Sequence, residues 1–74
     1  MIFDKVRDII VRQLEVEESS ITRDTSFIED LDVDSLTLIE LIAEFEDEFD
    51  IEIDEDKLED IKTVGDVVDY LEEL

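Results

Sequence analysis

The chain has 74 residues, of which 26 are acidic and 6 are basic, so its formal net charge is −20. This length predicts one domain, residues 1–74, with one small core. The negative charge disfavours nucleic acid and anionic membranes as partners and favours basic protein surfaces. The absence of Cys and His removes disulfides, thiolate metal sites, cysteine nucleophiles and the commonest general base.

Apolar residues make up 43% of the chain and recur periodically, which favours a folded protein over a disordered one. No apolar run approaches transmembrane length, and the charges that follow Met1, Ile2 and Phe3 do not fit a signal peptide. We expect a monomer that does not insert into membranes and works in the cytoplasm, or in an organelle if a transit peptide has been removed.

The first predicted element is a helix from Ile2 to Leu14. Its apolar residues form one stripe at helical spacing, namely Phe3, Val6, Ile10 and Leu14. Lys5, Arg7 and Arg12 fall on the opposite side. We expect the helix to pack by its apolar face, while its bases offset acidic neighbours in solvent.

The segment from Glu15 to Val33 has no helical period and is rich in the turn-forming residues Ser, Thr and Asp. Apolar residues recur along it every few positions, which favours a long loop pinned to the core. One short helical turn is expected near Phe27 to Leu31.

The segment from Asp34 to Phe49 is predicted to be the central helix. Ser35 lies where an acidic loop turns into this helix, and a Ser at such a place is most often an N-cap. The apolar stripe consists of Leu36, Ile39, Ile42, Phe45 and Phe49. The outward face is acidic and carries no base, so it is either simply solvated or presented to a basic partner.

The remaining chain is predicted to form a loop, a short helix and a last helix. These are Asp50 to Asp56, Glu55 to Ile61, and Val64 to Leu74 with Thr63 as its N-cap. The fold class is therefore all-α: a small antiparallel bundle of three main helices plus one short helix, with a long first loop.

No catalytic or metal site is predicted. Asp30, Asp32 and Asp34 imitate the first ligands of an EF-hand loop, but the required Gly and Glu positions hold Ser35 and Leu41. There is also no glycine-rich phosphate loop. Only loose binding of divalent cations to clustered carboxylates is expected.

Several motifs in order resemble the acyl carrier protein family. They are Phe27-Ile28-Glu29-Asp30-Leu31, Asp34-Ser35-Leu36, Ile39-Glu40-Leu41, Phe45-Glu46-Asp47-Glu48-Phe49, Ile51-Glu52-Ile53 and Thr63-Val64 with the closing helix. The triplet around Ser35 is weak alone, but the ordered set covers nearly the whole chain. The resemblance implies an acyl-carrier-like bundle that acts as a carrier and not as an enzyme.

The resemblance also implies that a phosphopantetheinyl transferase attaches 4′-phosphopantetheine to Ser35, that Asp34 assists this magnesium-dependent step and that Leu36 is the docking residue beside the arm. The arm's thiol would then carry acyl groups as thioesters to synthases, reductases and acyltransferases with basic surfaces, most readily in fatty acid biosynthesis. The implied partner-docking face is Glu40, Glu44, Glu46 and Asp47. The implied acyl pocket, whose members mostly serve as core first, is Phe27, Ile28, Leu31, Ile39, Leu41, Phe45, Ile53, Ile61 and Val67.

Three positions depart from the family pattern. Asp32, Thr37 and Asp54 stand where Gly, an acidic residue and Pro are usual. They leave the pathway open, because a carrier of polyketide or aminoacyl units shares the same fold. A third interpretation, from a different class, is an unmodified acidic module that binds a basic partner.

Overall fold

The computed structural model describes residues 1–73, apart from the side chain of Glu55. Within these residues, four α-helices follow one another: α1 (Ile2–Leu14), α2 (Ser35–Phe49), α3 (Glu55–Leu58) and α4 (Val64–Glu72). The predicted all-α fold class is confirmed. The predicted end of the last helix at Leu74 lies outside the described residues.

The structure confirms the predicted span of α1, the end of α2 at Phe49 and the starts of α3 at Glu55 and α4 at Val64, whereas α2 begins one residue later than predicted, at Ser35. The turn expected near Phe27 to Leu31 consists of hydrogen-bonded turns and no helix, whereas an unpredicted 3₁₀ turn occurs at Glu18–Ser20. The short helix ends at Leu58 rather than Ile61 because its last bonds tighten, with the Asp60 and Ile61 amides donating three residues back. This tightening turns the chain inward and buries Ile61.

Two helices end on acidic residues in the left-handed region, where glycine is usual. Glu15 closes α1 with φ 56°, and its N–H donates to Val11 O at 2.9 Å. Asp50 closes α2 with φ 55°, and its N–H donates to Glu46 O. Since an L-residue pays a steric penalty there, both caps store strain that glycine would remove.

The core lies where α1 packs against both α2 and α4. The largest fully buried side chains come from these helices and from one loop residue, and they are Val6, Ile10, Phe27, Leu41, Phe45, Val64, Val67 and Val68. Phe27 thus fastens the long first loop to the interior, as its apolar residues predicted. Among the described residues, the helices are all too short or too polar to cross a membrane.

Backbone hydrogen bonds join the first loop to the segment between α3 and α4. Gly65 N donates to Arg23 O at 2.8 Å, Val64 N donates to Thr25 O at 3.0 Å, and Phe27 N donates to Lys62 O at 3.1 Å. A Cβ on Gly65 would lie 2.8 Å from Arg23 O. The one glycine of the chain is therefore required by this close approach of two backbones.

The start of α4 is closed by a capping box, which confirms Thr63 as its N-cap. Thr63 Oγ1 accepts from Asp66 N at 3.2 Å, and Asp66 Oδ2 accepts from Thr63 N at 3.0 Å and Lys62 N at 2.9 Å. Partial burial raises the pKa of Asp66, but the hydrogen bonds from the Lys62 and Thr63 amides outweigh it and lower the pKa below 3.8.

Candidate functional site

The N-cap of α2 is Asp34, and the prediction that Ser35 takes this place is wrong. Asp34 has an extended backbone, and its Oδ1 accepts from Thr37 N at 2.8 Å. A cap needs this non-helical backbone so that its side chain can reach the amide three residues on. Ser35 already has helical geometry as the first residue of α2, so its exposed hydroxyl is not used as the cap.

The capping bond also fixes the charge of Asp34. The Thr37 backbone N–H stabilises the carboxylate and lowers the pKa of Asp34 below 3.8. The group is therefore ionised throughout the neutral range. This bond holds in a defined position the carboxylate of the residue that directly precedes Ser35 in the chain.

The approach of the chain to Ser35 is held by the preceding turn. Ser26 N donates to Asp30 Oδ2 at 2.7 Å, and Val33 N donates to Phe27 O at 3.0 Å. Asp32, which stands where the family has Gly, has φ 55°. This position does require left-handed backbone, and Asp is one of the residues that tolerate it. In the part of the chain that the structure describes, no group of three or more carboxylates is placed to hold a metal ion.

The predicted apolar stripe of α2 does not lie on one face. Leu36 is 65% exposed and Ile39 is 53% exposed, whereas Ile42 and Phe45 are buried together with Leu41. Each step of three residues falls short of a full turn by about 60°, so three such steps carry Phe45 to the side opposite Leu36. Leu36 and Ile39 therefore form an exposed apolar strip next to Ser35.

The four predicted docking acids divide into two groups. Glu40 and Asp47 are exposed on the outer side of α2. Glu44 lies at the edge facing α1, with its carboxylate 4.0 Å from the Arg12 guanidinium. Glu46 is half-buried, and its Oε2 accepts from Ile53 N at 2.7 Å. Glu46 thus anchors the segment after α2, which makes it a poor member of an outward docking face.

Two open grooves flank α3. The loop groove, about 620 Å³, runs along the first loop and the segment after α3, and its apolar lining is Phe27, Ile28, Leu38, Leu58 and Ile61. The helix groove, about 550 Å³, lies between α2 and α3, and it is lined by Ile39, Ile42, Ala43, Glu46, Ile53 and Leu58.

The predicted acyl pocket is only partly brought together at these grooves. Phe27, Ile28 and Ile61 line the loop groove, and Ile39 and Ile53 line the helix groove. The other predicted residues line neither groove and pack in or against the core, namely Leu31, Leu41, Phe45 and Val67.

Sequence reasoning missed four apolar residues of the grooves, which are Leu38, Ile42, Ala43 and Leu58. Leu38 could have been found, because it stands one turn after Ser35. Leu58 is the single apolar residue of a four-residue helix, so it had no periodic pattern to mark it.

The sequence model of the family described as "Phosphopantetheine attachment site" matches residues 4–71. An acyl carrier protein of Lactobacillus acidophilus is 51% identical over 95% of this chain and 88% of its own length. An acyl carrier protein of Picosynechococcus is 50% identical over 97% of this chain and 89% of its own length. A solved structure of a proposed acyl carrier protein from Mycobacterium tuberculosis superposes with a TM-score of 0.83, at 42% identity, over 90% of this chain and 89% of that one. The chain therefore belongs to the acyl carrier protein family, whose members bear a covalently attached 4′-phosphopantetheine.

Proposed function

We propose that this protein carries acyl groups as thioesters on a 4′-phosphopantetheine arm attached to Ser35. The supporting observation is that Asp34 caps α2, which leaves the exposed Ser35 hydroxyl available at the first helical position. A phosphodiester formed there would sit at the positive end of the helix dipole. Of the other serines, Ser20 donates to Glu17 O at 2.6 Å and Ser26 accepts from Glu29 N at 3.1 Å, and neither begins a long helix.

The attachment is a phosphoryl transfer from coenzyme A. Ser35 Oγ bonds to the phosphorus that bears the pantetheine, the bond from that phosphorus to the adenosine bisphosphate breaks, and the hydroxyl proton passes to a base of the transferase. Asp34, ionised and held by Thr37 N, would offer its carboxylate to the magnesium that accompanies coenzyme A. This protein contributes the nucleophile and the carboxylate, while its partner supplies the catalysis.

Intact mass after incubation with a phosphopantetheinyl transferase, magnesium and coenzyme A tests the proposal. The parent should gain the mass of one arm and Ser35→Ala should gain none. Ser19→Ala, which removes an exposed hydroxyl from the 3₁₀ turn, is the matched control and should load like the parent. Ser35→Ala should fold normally, because the cap it leaves intact belongs to Asp34. Loading of Ser35→Ala would overturn the assignment.

We further propose that the carried groups are intermediates of fatty acid biosynthesis. The helix groove offers mainly aliphatic walls, which suit an unbranched acyl chain better than an aminoacyl group with its charged amine. Elongation of the malonyl-loaded protein by a fatty-acid condensing enzyme tests this. Failure with that enzyme, together with normal loading of the arm, would favour a specialised pathway.

Partner enzymes are proposed to dock on the outer side of α2 through basic surfaces. Glu40 and Asp47 supply exposed negative charge there, and Leu36 with Ile39 supplies an adjoining apolar contact. Charge of this kind accelerates encounter and fixes orientation, while the apolar strip adds affinity. Glu44 and Glu46 are left out of this surface, because Arg12 and Ile53 N already engage them.

A further inference from the structure

The two grooves beside α3 share one lining residue, Leu58. This half-buried side chain forms part of the wall of the loop groove on one side and of the helix groove on the other. Each groove alone, at about 620 Å³ and about 550 Å³, has the size of a small-molecule site. Leu58 is the one residue common to the two linings, so it lies where the grooves approach each other.

Ser35 is placed so that an arm attached to it can enter either groove. One helical turn further along α2, at a rise of about 5–6 Å, Leu38 lines the loop groove and Ile39 lines the helix groove. Residues three and four positions apart share a helix face, so Ser35 stands above the boundary between the two grooves. Leu58, from α3, belongs to the linings of both grooves.

Side-chain carboxylates hold the segments before and after α3, whereas the backbone hydrogen bonds named here within it join residues three positions apart. Before α3, Ile53 N donates to the Glu46 carboxylate, and after it Lys62 N donates to the Asp66 carboxylate. Within the segment, the amides of residues 57, 60 and 61 donate to carbonyls three residues back. No side-chain hydrogen bond caps α3 at Asp54. The two ends therefore fix the position of α3, while Leu58 between them can yield.

We propose that Leu58 is the partition between the two grooves and that it sets the length of acyl chain that the protein shelters. This inference rests on the proposed attachment of the arm at Ser35. A short chain fills one groove and stops at Leu58. A longer chain passes this residue only where the side chain is small or displaced, and otherwise its end stays in solvent.

Thermal unfolding of the loaded protein measures this length limit. The Ser35 arm is loaded with straight acyl groups from butanoyl to hexadecanoyl, and each Tm is compared with that of the same variant bearing the unacylated arm. Every methylene that enters a groove should raise Tm by about 3–6 °C, because apolar burial stabilises the folded state. In the parent, Tm should rise with chain length and then level off.

Substitutions of Leu58 should move the chain length at which Tm levels off. Leu58→Ala should shift it to longer chains by joining the grooves, and Leu58→Phe should shift it to shorter ones. Leu14→Ala is the matched control, since Leu14 is a partly buried leucine of α1 that lines neither groove. It should lower every Tm without moving the limit. If Leu58→Ala folds too poorly to measure, Leu58→Phe alone still decides whether residue 58 sets the chain-length limit.

The inference is overturned if the parent and both Leu58 variants level off at the same chain length, or if acylation leaves Tm unchanged. Mass analysis separates these results from a failure of the proposed function. If the arm loads on Ser35 but the chain-length limit does not depend on residue 58, only the proposal for Leu58 fails. If the protein accepts no arm at Ser35, both the proposed function and the proposal for Leu58 fail.

Discussion

Replacement of Glu15 by glycine should stabilise this protein, although glycine usually weakens a helical protein. Glu15 ends α1 with φ 56° and ψ 42°, and its exposed side chain makes no ion pair in the described structure. Left-handed backbone costs an L-residue about 1–2 kcal/mol. Glutamate has no short polar side chain with which to compensate, unlike Asp32 and Asp50 at the other positive φ angles.

Opposing terms reduce the net effect to about 1 kcal/mol. Glycine loses about 0.5–1 kcal/mol more conformational entropy on folding, whereas removal of a negative charge from the C-terminus of α1 contributes about 0.3–1 kcal/mol. In a domain of this length a gain of about 1 kcal/mol raises Tm by roughly 4–8 °C. The shift should be clear in a thermal melt followed by circular dichroism.

Two controls separate the contributions. Glu15→Gln removes the same charge but keeps a side chain that disfavours the left-handed region, so it should gain only the charge contribution of about 0.3–1 kcal/mol. Glu17→Gly makes the same substitution two residues away, where φ is −69° and ψ is 135°, and it should melt at or below the parent. Equal gains from Glu15→Gly and Glu15→Gln, or from Glu15→Gly and Glu17→Gly, would refute backbone strain as the cause.

Two further predictions concern docking and acid stability. Reversal of Glu40 and Asp47 to Lys should slow loading by a phosphopantetheinyl transferase about tenfold or more at low salt, mainly through association. Reversal of Glu17 and Glu72, which are also exposed, changes the net charge by the same amount but should slow loading much less. Equal slowing by the two pairs would mean that partners respond to overall charge. The pKa of Asp66 is lower in the folded state than its ordinary 3.8, so its ionised form contributes stability above that pH, and this contribution is lost as pH falls through the folded pKa. The Tm advantage of the parent over Asp66→Asn should therefore be constant above pH 3.8 and shrink below it; an unchanged advantage in stronger acid would contradict this role.

Local signals predicted the parts of the structure that depend on local interactions. The span of α1 and the cap at Thr63 follow from apolar period and capping chemistry within a few residues. The cap of α2 was misassigned because Asp34 and Ser35 are neighbours with similar capping ability, and only the backbone angles choose between them. The predicted stripe of α2 is wrong because repeated spacings of three residues each fall short of a full turn, so successive residues move to different faces of the helix.

Other features were beyond sequence reasoning because their partners are distant in the chain. Glu46 belongs to an acidic run, and nothing nearby indicates that its carboxylate accepts from the backbone of Ile53. Gly65 carries no local signal of its role, because Arg23 O, the atom that leaves no room for a Cβ, belongs to a distant part of the chain. Leu58 gains its position between the two grooves only from the packing of α3 beside α2.

The backbone bonds between the first loop and the segment after α3 have a consequence for hydrogen exchange. The amides of Phe27, Val64 and Gly65 donate across a contact that also depends on the buried side chains of Phe27 and Val64. They should exchange only when the whole protein unfolds, even though Phe27 lies in a long loop. The amides of α3, bonded locally, should exchange through small openings. A loop slower to exchange than a helix would mark α3 as a part of this bundle that can open while the core stays closed.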